Sequence, residues 1–132
     1  MRDRLIPSET EPEKWKNRTY RVITWSWNCG HGTAPMAAQR VEAECAYLMR
    51  RYPDRYLETS ASIKRSLGSS TVTVTLVCSS RHRMFVENWV RVAVAKVSAM
   101  VGSTFPPGVA LTVTVDKLPN RKGNWMPCPE QE

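Results

Sequence analysis

No apolar run in this chain approaches the ~18 residues that a membrane-spanning helix needs. The opening stretch, MRDRLIPSETEPEKWK, lacks the apolar core of a secretion signal. These two gaps make an intracellular chain, cytoplasmic or nuclear and without a membrane partner, the expectation. In a reducing compartment the four cysteines, Cys29, Cys45, Cys78 and Cys128, are expected as free thiols. The sequon Asn17-Arg18-Thr19 is then a chance match. Histidine is limited to two residues, and no phosphate-cradling glycine loop, carboxylate pair or nucleophile constellation is visible. No reaction can be read from the residues, and no cofactor is expected. Nor is there an internal repeat of solenoid period.

Acidic residues are the shortfall that carries most meaning. The chain has 19 Lys and Arg against 12 Asp and Glu, a net charge of +7, with an isoelectric point near 9.6. Arg2 and Arg4 are the only basic residues before position 14, and none follows 122. Half of the acids lie in those two end segments: Asp3, Glu9, Glu11, Glu13, Glu130 and Glu132. A basic body with mildly acidic ends points to an anionic partner, although solubility alone would also account for it.

What the sequence does have is one clear strand. In SSTVTVTLVCS, residues 69–79, Val72, Val74, Leu76 and Cys78 alternate with Thr71, Thr73, Thr75 and Val77. Period two with β-branched residues means one apolar face and one hydroxyl-rich face. An earlier strand, 19–27, places Ile23, Trp25 and Trp27 opposite Val22, Thr24 and Ser26. After a turn at 28–32, Thr33 is placed to cap a helix and Pro35 suits its first turn. Ala38, Val41, Cys45, Leu48 and Tyr52 form its stripe, and Pro53 stops it. A weaker strand at 55–65 sets Leu57, Thr59, Ala61 and Ile63 against Tyr56, Glu58, Ser60 and Ser62. Leu67-Gly68-Ser69 then turns the chain as a hairpin.

Residues 81–101 are expected as a second helix, capped by Ser80 and closed by a left-handed Gly102. Its stripe is Val86, Trp89, Val90, Ala93, Val97 and Met100. Val90, Val92 and Val94 also alternate like a strand, but the length favours a helix. Pro106-Pro107-Gly108 reads as a loop before a last strand, 109–115, with Val109, Leu111, Val113 and Val115 on one face. The reading is an N-terminal arm (1–18) with Trp15 as its anchor, a folded domain (19–116) and a C-terminal tail (117–132). The order β-α-β-β-α-β predicts a ferredoxin-like α+β fold, a four-stranded antiparallel sheet with both helices on one face and strands ordered 4-1-3-2.

That topology sorts the candidate sites. Cys29 and His31 follow the first strand, and Cys78 and His82 follow the third. As a list they look like four zinc ligands. The predicted fold puts the pairs at opposite ends of the sheet, so no metal site is expected. His31-Gly32-Thr33 is one half of the HxT pair of two-histidine phosphoesterases, but the other candidate reads His82-Arg83-Met84 and lacks the threonine. Cys29 with His31 as a nucleophile pair has no visible orienting carboxylate.

The basic residues instead converge on one pole: Lys14, Lys16, Arg18, Arg50, Arg51, Arg55, Arg81, Arg83, Lys117, Arg121 and Lys122. Lys64 and Arg65 fall at the other. The open sheet face is expected to carry Val22, Thr24, Ser26, Ser60, Ser62, Thr71, Thr73, Thr75, Thr112 and Thr114. RNA-recognition domains of this fold stack bases on aromatics at that face; here the tryptophans are expected to point into the core. Apolar residues off the second helix's stripe, among them Met84, Phe85 and Val92, join Thr71, Thr73 and Thr75 as candidate protein-contact residues. The expectation is a small non-enzymatic binding protein, self-associating, that docks a basic pole onto nucleic acid or an acidic protein. The alternative is a protein–protein adaptor, of the compact accessory kind that viruses and mobile elements encode.

Overall fold

The computed structural model describes residues 18–104 and 110–117. The arm with Lys14, Trp15 and Lys16, the loop at 106–108, Val109, Arg121, Lys122 and Cys128 lie outside the described residues. The elements run β1 (Thr19–Cys29), α1 (Ala34–Arg51), β2 (Tyr56–Ser66), β3 (Ser69–Ser80), α2 (Arg83–Thr104) and β4 (Leu111–Lys117). The four strands form one sheet in the order β2-β3-β1-β4, every pairing antiparallel. This is the ferredoxin-like α+β fold. No helix of the described residues is long and apolar enough to cross a membrane.

Alternation in β1 and β3 builds the core. Ile23, Trp25 and Trp27 meet Leu76, Val74 and Val72 across the pairing, and all six are buried under the helices. Trp25 donates its indole N–H to Ser98 Oγ on α2 at 3.1 Å, so the large side chain is buried without stranding its donor. From α1 the core takes Ala37, Ala38, Val41, Cys45 and Leu48, and from α2 Val86, Val90, Ala93, Val97 and Val101. The valines of α2 do not prevent the helix, because most of them gain burial that outweighs their modest helix penalty.

The helix ends depart from expectation in detail. Thr33 stands at the N-cap of α1 but caps nothing with its side chain; its hydroxyl donates back to Gly30 O at 3.1 Å. Ser80 Oγ accepts from the His82 N–H at 3.0 Å, ahead of the helix. His82 O instead takes the first N–H groups of α2, those of Phe85 and Val86. Gly102 does not close α2 in the left-handed region: the helix continues through it to Thr104. The described glycine with positive φ is Gly68, at 89°, in the tight β2–β3 turn.

A β-bulge corrects the face assignment at the start of β2. Tyr56 pairs with Cys78 and Glu58 with Val77, so Leu57 is the extra residue between them. Unbroken alternation put Leu57 in the core and Tyr56 outside. The bulge reverses that phase. Tyr56 enters the core and donates its hydroxyl to Trp89 O at 3.1 Å. Leu57 turns to the open face and packs with Val77, Tyr20 and Val22 in a second, small apolar cluster. Above it the open face is a hydroxyl ladder: Ser60 with Thr75 at 2.7 Å, Ser26 with Thr73 at 3.3 Å, and Thr71 donating to Asn28 Oδ1 at 2.7 Å.

Truncating the core and truncating this ladder should differ sharply. Leu76→Ala is expected to cost about 2–5 kcal/mol in denaturant unfolding. Thr73→Ala, whose hydroxyl faces a wet surface, should stay below about 1 kcal/mol.

Candidate nucleic-acid interface

Antiparallel pairing decides which chain ends meet. β1 starts, and β3 and β4 finish, at one end of the sheet, since Thr19 pairs with Ser80 and Arg21 with Lys117. β2 starts there as well, with Tyr56 opposite Cys78. The α1 C-terminus runs into that start, and the α2 N-terminus follows the end of β3. This pole therefore gathers Arg18, Arg50, Arg51, Arg55, Arg81, Arg83 and Lys117, with Arg21 added by the structure. Lys64 and Arg65 lie at the far end of β2, as expected. Acidic residues at the pole are Asp54, Glu58, Glu87 and Asp116, of which Glu87 pairs with Arg83 at 3.9 Å in an exposed i,i+4 contact. Such a contact holds the arginine weakly.

Three of the cations have defined seats. Arg18 Nη1 donates to Ser79 Oγ at 3.4 Å, and Arg21 Nη1 to Tyr20 O at 3.1 Å. Arg55 sits in a locked turn: its N–H donates to Tyr52 O at 3.0 Å, and its carbonyl accepts from Ser79 N at 2.8 Å. Its guanidinium lies 4.8 Å from the centre of the Tyr52 ring and 4.9 Å from that of Trp89. Arg51 also covers Tyr52, at 5.2 Å. Arg50, Arg51, Arg81, Arg83 and Lys117 are exposed. Arg50 and Arg51 also offset the negative end of the α1 dipole, while the positive end of α2 faces the same pole with no acid in its first turn.

The aromatic content of this pole was not anticipated from sequence. From Trp89 the rings continue outward: Phe85 stacks on it at 6.2 Å and 26°, and His82 meets Phe85 edge-on at 5.3 Å. Tyr52 and Tyr56 close the other end at 6.2 Å. The signal present was the spacing of His82, Phe85 and Trp89, three and then four residues apart and so on one helix face. Trp89, placed on the helix stripe by the sequence, does pack against the core, and its outward ring contacts are the added feature. Arg55, which joins the two helices' aromatics, carries no such pattern.

The candidate protein-contact residues do not form one surface. Met84, Phe85 and Val92 are 75%, 52% and 51% exposed on α2, over the helical layer. Thr71, Thr73 and Thr75 line the opposite, open side of the sheet, largely engaged with their neighbours. Trp25 and Trp27 are in the core, so the open face lacks the stacked-ring platform those residues would have provided.

The cysteine–histidine pairs sit at opposite ends of the sheet. Cys29 pairs with Ser70, and Cys78 pairs with Arg21, eight residues earlier on the same strand, about 27 Å along it at ~3.4 Å per residue. Zinc ligands cannot span that gap. Among the described residues no cluster of three His, Cys, Asp or Glu side chains is arranged to hold a metal ion. His31 Nδ1 shares a 2.7 Å hydrogen bond with Ser70 Oγ, which ties the turn after β1 to the start of β3. Cys45 and Cys78 are buried in the core, and loss of water pushes each thiol up from 9.0 to about 12.

No protein-family model matches the chain, and no curated protein does. Solved structures match in fold. A de novo designed protein, Foldit4, superposes with a TM-score of 0.53 at 11% identity, over 74% of this chain and 96% of that one. A tripeptidase from Staphylococcus aureus gives 0.50 at 12% identity, over 76% of this chain but only 29% of its own length. A second design, described as having a ferredoxin fold, gives 0.45 at 14% identity over 74% and 83%. At these identities the likeness is one of fold.

The thiols supply a check on the burial. The folded chain keeps Cys45 and Cys78 protonated, whereas the unfolded chain loses those protons near pH 9. Their stabilisation is therefore complete below pH 9 and is lost as pH climbs toward 12. Among the described cysteines, site-mapped alkylation of the native protein at pH 8 should modify part-buried Cys29 first and reach Cys45 and Cys78 only with denaturant.

Proposed function

We propose that this chain is a nucleic-acid-binding protein that grips phosphates with its basic pole. The observation behind the reading is convergence. Three strand ends, the α1 C-terminus, the turn after it and the α2 N-terminus all deliver cations to one end of the molecule. Charges of one sign gathered at one end give a field that attracts a polyanion and raises its encounter rate. Arg50, Arg51, Arg81 and Arg83 are the principal phosphate contacts, being exposed to solvent. Arg55, fixed between two rings, holds the surface in shape. Lys117 and Arg21 extend the field along the β1–β4 side.

Binding of short DNA and RNA is expected at low salt. The slope of log K against log salt should be about −0.7 to −0.9 per phosphate neutralised. Arg50→Glu/Arg51→Glu/Arg81→Glu/Arg83→Glu should lose more than about tenfold in affinity and flatten that slope. A wild-type protein that binds neither nucleic acid at low salt would sink the reading and turn attention to a protein partner on the exposed residues of α2.

A further inference from the structure

The rings at the basic pole form a graded series from core to solvent. Tyr56 is buried. Tyr52 and Trp89 are half-buried, with the Arg55 guanidinium between them. Phe85 lies against Trp89 and is more than half exposed, and Met84 beside it is three-quarters exposed. A phenylalanine turned to water on a helix that already gives Val86, Val90, Ala93, Val97 and Val101 to the core is not required by packing. Here the ring stacks on Trp89 and meets His82 edge-on, so its neighbours set its orientation.

Two properties of the surroundings identify what fits it. Exposed Arg81 and Arg83 precede the ring in sequence, and Arg51 lies beyond Tyr52 on α1. An apolar protein segment would gain from the ring but not from the arginines. A duplex would gain from the arginines but not from the ring, because paired and stacked bases have no free face to offer. An unpaired strand gains from both, its bases on the rings and its phosphates on the cations. The other large surface of the fold competes poorly for bases, since it is mostly short side chains and its one ring among the described residues, Tyr20, is packed into the cluster with Leu57, Val22 and Val77.

We propose that Phe85, backed by Trp89, is a base-stacking platform, and that the strand held by the basic pole is single-stranded. This rests on the nucleic-acid reading above and goes further by naming the form of the partner. Base stacking in this fold then occurs at the corner between the two helices rather than on the open sheet.

The test uses fluorescence anisotropy on the full chain with three end-labelled probes of equal length: oligo-dT, a DNA duplex and an abasic phosphodiester strand. Wild type is expected to prefer oligo-dT over the other two. Phe85→Ala should weaken oligo-dT binding by about tenfold, leave the abasic strand unaffected and keep the salt slope. Met36→Ala, exposed in the first turn of α1 at the opposite pole, should change nothing. Equal affinity of Phe85→Ala and wild type for oligo-dT would overturn the platform, as would a wild type that prefers the duplex. If all three probes bind with a salt slope but Phe85→Ala is silent, the inference fails and the basic pole survives. If none binds, both fail. Phe85 is exposed, so circular dichroism of Phe85→Ala should match wild type.

Discussion

The pairing of β1 with β3 is the constraint on which the molecule depends. These central strands share an eleven-residue register, from Thr19–Ser80 to Cys29–Ser70. One face of that ribbon is Trp25, Trp27, Val72, Val74 and Leu76, and both helices fold onto it. The opposite face is largely short hydroxyl side chains that bond to each other. Shifting the register by one residue would move both tryptophans to water and the threonines under the helices, so the pairing is strongly specified. Its antiparallel sense has a second effect. It brings chain segments distant in sequence to the same pole, and the arginines with them.

The pole combines two kinds of attraction that are usually weak alone. An exposed arginine in solvent contributes little, and salt screens it. An exposed phenylalanine contributes little unless something flat arrives. Under the function proposed above, the two placed together at the junction of α1 and α2 would reinforce one another for a ligand that is both flat and anionic. Arg55 makes the junction rigid. Its backbone is held by Tyr52 and Ser79, and its side chain faces rings from both helices. The Lys96–Glu44 ion pair at 3.1 Å ties the helices together again, about two turns further along α2. Lys96 also lies 4.6 Å from the centre of the Tyr47 ring on α1.

Much of this was legible in the sequence, for reasons that can be named. Strand phase in β1 and β3 follows from strict alternation over many residues, and α1 from its stripe and Pro53. The basic pole followed from topology alone, because directions along a sheet need no side-chain detail. Three features were not legible. The bulge at Leu57 inserts one residue without any glycine to mark it. The end of α2 overran Gly102, because Val101 just before it is buried in the core and packing outweighs one poor helix former. The aromatic series needed Arg55 of one segment to meet Trp89 of another, a contact between residues 34 positions apart that no local pattern encodes.

The bulge also governs what the β2 margin of the sheet can accept. Its backbone groups face outward over much of an eleven-residue strand, the kind of margin to which a strand from another molecule readily adds. At one end, however, the extra residue breaks the hydrogen-bond rhythm and sharpens the local twist. At the other, Lys64 and Arg65 place charge on the approach, repelling a like copy. Between the bulge at Leu57 and Lys64 an incoming strand finds residues 58–63 in regular register. The residue that carries Tyr56 into the core thus also shortens the regular margin to which another strand would add.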